Sequence, residues 1–252
     1  MTGLVRLGWR AIPRMNVRAV ATAMASMGAL AAAPLAEAQD ADAAEIARQL
    51  ANPLANLISV PIQNNFDFEA GVDGDGYAYT LNVQPVVPFA INEDWNVISR
   101  TIVPFSYRDY IPPPDEDTYG LGDITQSFFI SPGKPGPRGT IWGVGPAILI
   151  PVASDELLGN GHFGLGPTGV VVAEAGQWTY GALANHIWTL GTEDDPVNDL
   201  SQSFVQPFVN YHFGQGTSLI LNTESTYDWI DDQWTVPVNL TVSRSSPWAA
   251  RR

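Results

Sequence analysis

Cysteine is absent from the 252 residues, and lysine occurs once, at Lys134. No disulfide framework can staple this chain, so an exported form needs a closed sheet or a large core for stability. Positive charge is scarce: 12 basic residues stand against 26 acidic ones, a formal net charge of −14. Nucleic-acid binding through phosphates needs clustered Lys and Arg, and the chain beyond its first 38 residues offers no such cluster. Only three histidines occur, His162, His186 and His212. None sits in a His-x-His or His-x-x-x-His spacing, so no metal site is indicated. None is followed two residues later by Ser, the spacing of a barrel phospholipase. Each reads as a rim or lumen residue, and the chain reads as a non-enzyme without cofactors.

Other signals are weak. Gly159 to Gly164 matches G-x-G-x-x-G but lies in a predicted loop with no helix after it, so it reads as a flexible loop. The acidic runs Asp73-Gly74-Asp75 and Glu193-Asp194-Asp195 lack the continuation of a calcium loop and read as solvated charge.

The first 38 residues have the pattern of an export signal. Arg6, Arg10, Arg14 and Arg18 precede an uncharged, alanine-rich stretch over 19–35, and Ala36-Glu37-Ala38 supplies an A-x-A cleavage pattern. A transmembrane anchor is the alternative, and the stretch is short for one. Removing it takes away four Arg and one Glu, leaving eight basic and 25 acidic residues, a net charge of −17. Residues 39–52 read as a short helical periplasmic arm, with Ile46 and Leu50 four apart, acidic residues early and Arg48 late.

The rest alternates with period two. Over 217–243, Leu219, Leu221, Tyr227 and Trp229 share one face, and Asn222, Glu224, Thr226 and Asp228 the other. The returning arm puts Trp234, Val236, Val238, Leu240 and Val242 opposite Thr235, Asn239, Thr241 and Ser243. Such arms are long enough to cross a bilayer as tilted strands, and Trp229 and Trp234 bracket the turn, where a membrane interface favours amphipathic rings. A long hairpin in a soluble sandwich is the competing explanation. Similar alternation recurs over 57–68, 77–89, 95–108, 122–131, 140–151, 164–174, 178–189 and 200–213, giving about ten strands. Long acidic connections follow the first, third, fifth and seventh strands, and short ones the second, fourth, sixth and eighth. That sorting is the habit of an antiparallel transmembrane β-barrel. Prolines recur in or near the strands, where they cannot donate to a ladder, which predicts bulges near one rim.

A barrel over 53–243 turns its apolar faces to lipid and its polar faces inward. The expected lumen lining is Gln63, Asn65, Asp67, Asn82, Gln84, Arg100, Gln206, Asn210, Asn222, Glu224 and Asn239, with Asp67 and Glu224 as candidate partners of Arg100. Such a lining either passes small polar solutes or satisfies itself inside a narrow, plugged barrel. A structural or adhesive barrel acting through its acidic loops is a second functional reading, and a lipid-active enzyme a third.

Segments such as LISVPIQNNFDFEAG, YTLNVQPVVPF, NEDWNVISRTIVP, GLGDITQSFFISP, WGVGPAILIP, WTYGALANHIW and LNTESTYDWIDDQWTVPVNLTVS resemble a group of bacterial outer-membrane barrels. That group is described as transporters and sits near the MetA-pathway-of-phenol-degradation proteins; some members carry the label neuromedin U. The resemblance covers roughly 51–243. It implies an outer-membrane location, passage of small solutes (aromatic or hydrophobic compounds by the family's label alone), and insertion by the outer-membrane assembly machinery. It supplies no catalytic residue. Relatives continue past the NLTVS strand with a further hairpin and a terminal aromatic, about twelve strands in all, whereas this chain ends in RSSPWAARR. A tail over 244–252 without the two last strands predicts poorer insertion than a full-length relative, because it leaves two unpaired sheet edges.

Overall fold

The computed structural model describes residues 49, 52–55, 57–70, 76–109, 117–190, 200–214 and 217–244. The export signal, nearly all of the helical arm, the tail beyond Arg244 and the acidic stretches 71–75 and 191–199 lie outside them. Among the described residues no helix is long and apolar enough to cross a membrane.

The fold is all-β, a single antiparallel sheet of fourteen strands. They are β1 (Ile62–Ala70), β2 (Gly76–Val83), β3 (Val86–Ala90), β4 (Trp95–Asp109), β5 (Thr118–Leu121), β6 (Ile124–Pro132) and β7 (Ile141–Ile150). Then come β8 (Gly164–Ala175), β9 (Trp178–Thr189), β10 (Ser201–Gly214), β11 (Thr217–Thr223), β12 (Ser225–Asp228), β13 (Gln233–Thr235) and β14 (Val238–Arg244). The ladder runs β1-β2-β4-β6-β7-β8-β9-β10-β11-β14, with β3 and β5 on β4, β12 on β10 and β13 on β12. Four long strands are each broken once: at Gln84-Pro85, Gly122-Asp123, Glu224 and Val236-Pro237. Fourteen segments therefore lie along an up-and-down meander whose main path follows the alternation read from the sequence.

The prolines only partly follow the expected bulges. Pro85 and Pro237 do sit at strand breaks. Pro146 and Pro167 instead face each other across β7 and β8. In an antiparallel strand a residue turns its N–H and C=O to one neighbour, so each proline presents its missing donor to the other side. There the β6–β7 ladder skips from Ser127↔Ala147 to Ile130↔Val144, and the β8–β9 ladder from Leu165↔Trp188 to Thr168↔Asn185. The preceding glycines make this tolerable. A Cβ on Gly145 would lie 1.9 Å from the Phe128 carbonyl oxygen, and one on Gly166 1.6 Å from that of His186, so the strands close up where the hydrogen bonds are lost.

No ladder joins β1 to β14 among the described residues. Side chains from the two ends of the sheet still meet: Gln63 Nε2 on β1 lies 3.3 Å from Glu224 Oε2, between β11 and β12. The sheet therefore curls around a shared interior. One side of that interior is an apolar cluster of Val86, Ile98, Phe129, Ile141, Val170, Val172 and Leu183, completed by Leu54. Leu54 arrives from the segment before β1. Asn52 Oδ1 accepts from Leu54 N (2.9 Å), and Ala55 N donates to the Asn52 carbonyl (3.0 Å), closing a turn. Ser59 then pairs with Val86 through two backbone hydrogen bonds, so the chain enters β1 from inside the curled sheet.

Candidate lumen and membrane-facing surface

The ladder registers fix which side each residue faces, because partners in register share a face. The outward set includes Trp95, Val97, Val103 and Phe105 on β4, and Trp142 and Val144 on β7. It continues with Leu165 and Val171 on β8, Trp178, Tyr180, Ala182, Ala184 and Trp188 on β9, and Val205, Val209 and Tyr211 on β10. Leu219, Leu221, Leu240 and Val242 complete it on β11 and β14. Among the described residues large exposed apolar side chains outnumber the buried ones. Charge is excluded from the same face. Among the described strand residues up to Val242, the outward positions hold Asp109 at a strand end and no other Asp, Glu, Lys or Arg.

Aromatic rings collect at both ends of this apolar band. On the short-turn side Trp95 meets Trp142 (6.1 Å between ring centroids), Trp178 meets Tyr211 (4.7 Å), and Tyr211 meets Phe213 (4.8 Å). On the long-loop side Phe68, Tyr77 and Tyr107 form a chain, and Tyr227 contacts Trp229 and Trp234. Trp178 and Trp188 open and nearly close β9. Their ten-residue separation is roughly 33 Å of strand at ~3.3 Å per residue, or roughly 25 Å of height at a ~40° tilt. The polar groups on the outer face satisfy each other: Thr101 Oγ1 donates to Gln126 Oε1 (2.6 Å), and Gln126 Nε2 to Ser99 Oγ (2.9 Å).

The inward face carries the candidate site. Gln63, Gln84, Arg100, Gln206, Asn210, Asn222, Glu224 and Asn239 line one cavity of about 240 Å³ together with Leu183, Phe208 and the segment before β1. Eight of the residues expected from the sequence thus converge, drawn from both ends of the sheet. Asn65 joins them indirectly, accepting from Gln63 Nε2 (2.9 Å). Asp67 and Asn82 share the inward face but stand outside the cavity lining.

Amides connect the charges. Gln84 Nε2 donates to Gln63 Oε1 (2.8 Å), and Arg100 Nη2 donates to Gln84 Oε1 (2.9 Å). Gln206 Nε2 donates to Glu224 Oε1 (3.0 Å), and Asn239 Nδ2 to Asn222 Oδ1 (2.9 Å). Gln84 thus hydrogen-bonds Arg100, and Gln206 and Gln63 hydrogen-bond Glu224, while Glu224, one of the two candidate partners read from the sequence, acts on Arg100 through its charge. Asn210 is 2 % exposed, and its Oδ1 has no hydrogen-bond partner among the described residues.

The sequence did not reveal two further features. The first is Leu54, 2 % exposed, which lies against Phe129 and over Gly143. A Cβ on Gly143 would stand 3.0 Å from Leu54 Cδ2, so glycine there makes room for the leucine. The Pro53-Leu54-Ala55 stretch has no periodicity to betray this role. The second is a cross-strand histidine–serine pair on the outer face. His186 Nδ1 lies 2.7 Å from Ser203 Oγ, which also accepts from Trp229 Nε1 (2.9 Å). Within-strand spacing cannot show such a pair. His186 Nε2 is buried without a hydrogen-bond partner among the described residues, and the ring packs on Trp188 and Trp229 within the long-loop aromatic girdle. His212 is inward, between Thr179 Oγ1 (2.9 Å) and Ser218 Oγ (2.7 Å). No group of acidic or histidine side chains suited to a metal occurs among the described residues. No family model, curated protein or solved structure matches the chain.

Proposed function

We propose that this chain is an outer-membrane β-barrel whose interior is a route for small polar solutes, held closed by the segment that carries Leu54. The observation that carries the reading is the inverted surface: an uncharged apolar band, bounded above and below by aromatic rings, around an interior of amides and opposite charges. In water such a surface costs about 25 cal/mol for every Å² of apolar area left exposed. In a bilayer the same surface is the stable one, and the girdle spacing matches the apolar height of ~25 Å. The sorting of long and short connections, and the resemblance to outer-membrane transporters, point to the same reading.

The interior is occluded. Leu54 packs with Phe129 over Gly143 in the apolar half, and the amide network lies along the wall of the cavity in the other half. Solute passage therefore requires the segment 52–61 to leave the interior. The backbone of that segment is tied to the sheet by the Ser59–Val86 pair and by Gln84 N donating to the Pro61 carbonyl (2.9 Å). Among its described residues these three backbone bonds tie it to the sheet, and a segment held by few bonds opens before the rest of a fold. A closed barrel acting through its acidic loops is the second reading, and the filled apolar half of the interior favours it.

Liposome swelling tests the choice. The full chain, reconstituted into liposomes, is expected to admit small polar solutes of graded size, with a cutoff near the size of an amino acid. Liposomes that bind the protein, protect it from protease and yet show no solute entry would reject the route and favour the closed barrel.

A further inference from the structure

We infer that the mid-lumen cavity is a binding site for a small zwitterion, its carboxylate on Arg100 and its ammonium between Glu224 and Asn210. The inference rests on the reading of this lumen as a solute route, and names what the route takes. Size comes first. The cavity of about 240 Å³ is far larger than the space one water needs, which suits a solute the size of an amino acid.

Charge comes second. Arg100 offers five N–H donors, and one nitrogen, Nη2, is engaged by Gln84 Oε1. Glu224 accepts from two carboxamides, Gln206 and Gln63, and a carboxylate has about four lone-pair sites. Both charged groups line the same cavity and retain capacity. A singly charged ligand would pair with one of them and leave the other without a new partner, which disfavours it. A zwitterion answers both.

The third observation is independent of the charges. Asn210 is almost wholly buried and lines the cavity, yet its Oδ1 accepts nothing among the described residues. An orphaned buried acceptor costs about 1–3 kcal/mol, so its position calls for a donor that no described residue supplies. An ammonium supplies one. Leu183, Phe208 and Ile220 on the same wall give a small apolar side chain somewhere to rest.

The test is calorimetric titration of the full chain, refolded in detergent, with L-valine and L-glutamine. For each, the matched acid without the amino group and the matched amine without the carboxylate serve as controls. At least one zwitterion is expected to bind ten times more tightly than both of its controls. Arg100→Gln is expected to erase the preference over the amine, and Glu224→Gln the preference over the acid. Asn210→Leu is expected to weaken the zwitterion about tenfold or more. Circular dichroism and heat-modifiable migration identify folded variants, and Glu224→Gln, nearly isosteric, keeps the test open if Arg100→Gln fails to fold. Equal affinity for zwitterion and controls, or no binding to the folded chain, overturns the inference. Swelling separates the two proposals: solute entry without zwitterion binding rejects the site alone, and binding without entry rejects the route alone.

Discussion

Removing the side chain of Leu54 should open the interior. Leu54 is 2 % exposed and packs in the apolar cluster with Ile98 and Phe129. When the segment leaves the lumen, its competing environment is water, so the ordinary transfer term applies. Leu54→Ala deletes three carbons, about 2.4 kcal/mol at ~0.8 kcal/mol each, and the unfilled gap adds about 1 kcal/mol, within the range measured for buried Leu→Ala changes. A loss of about 3 kcal/mol from the closed state alone raises the open population roughly a hundredfold. The absence of cysteine gives a clean assay. Thr241 lines the cavity, and Thr241→Cys supplies the only thiol. Its labelling by a water-soluble maleimide tracks the open population when opening and reclosing are fast. The Leu54→Ala background should label roughly a hundred times faster, and single channels in planar bilayers should appear more often. A rate unchanged within twofold, with the protein folded, refutes Leu54 as the closing contact.

Three other perturbations bear on the account. Gly143→Ala puts a Cβ 3.0 Å from both Leu54 Cδ2 and Phe129 Cβ; overpacking of about 1–3 kcal/mol should speed Thr241→Cys labelling, and adding Leu54→Ala should raise it by less than the separate effects predict, since the pair shares one gap. Gln84→Leu removes the donor to Gln63 and the acceptor of Arg100; at about 1–3 kcal/mol for each group left unmet, urea titration in lipid should show the midpoint falling with unchanged slope. Ala184→Arg puts a charge on an exposed outward position midway between Trp178 and Trp188. In lipid that should cost about 2–4 kcal/mol of folding stability; an exposed position facing water would shift by no more than about 0.5 kcal/mol.

Local alternation made the faces of the strands legible in the sequence. Val238, Leu240 and Val242 point away from Asn239 and Thr241, as period two requires, and the register carries this through the break at Glu224, where β11 and β12 both stay in step with β10. Inward orientation was therefore readable for Asn65, Asp67 and Asn82 as well. Which inward residues share a cavity was not, because that depends on the curl that brings Gln63 to Glu224 across 161 positions. Periodicity carries no such long-range term. The short-turn girdle was visible in principle, since Trp95, Trp142 and Trp178 each stand first or second in a strand. Leu54 was not: one apolar residue between Pro53 and Ala55 has no pattern, and only Gly143 on a distant strand records its place.

The most direct test of the central claim, that the apolar face meets lipid, is quenching by brominated acyl chains. A single cysteine at Ala184→Cys, carrying a small fluorophore, is compared in lipid vesicles with the same label at Thr241→Cys. Strong quenching is expected at 184, greatest with bromine near the bilayer centre, and little at 241. Equal, weak quenching at both positions in vesicles that hold the folded protein would contradict it.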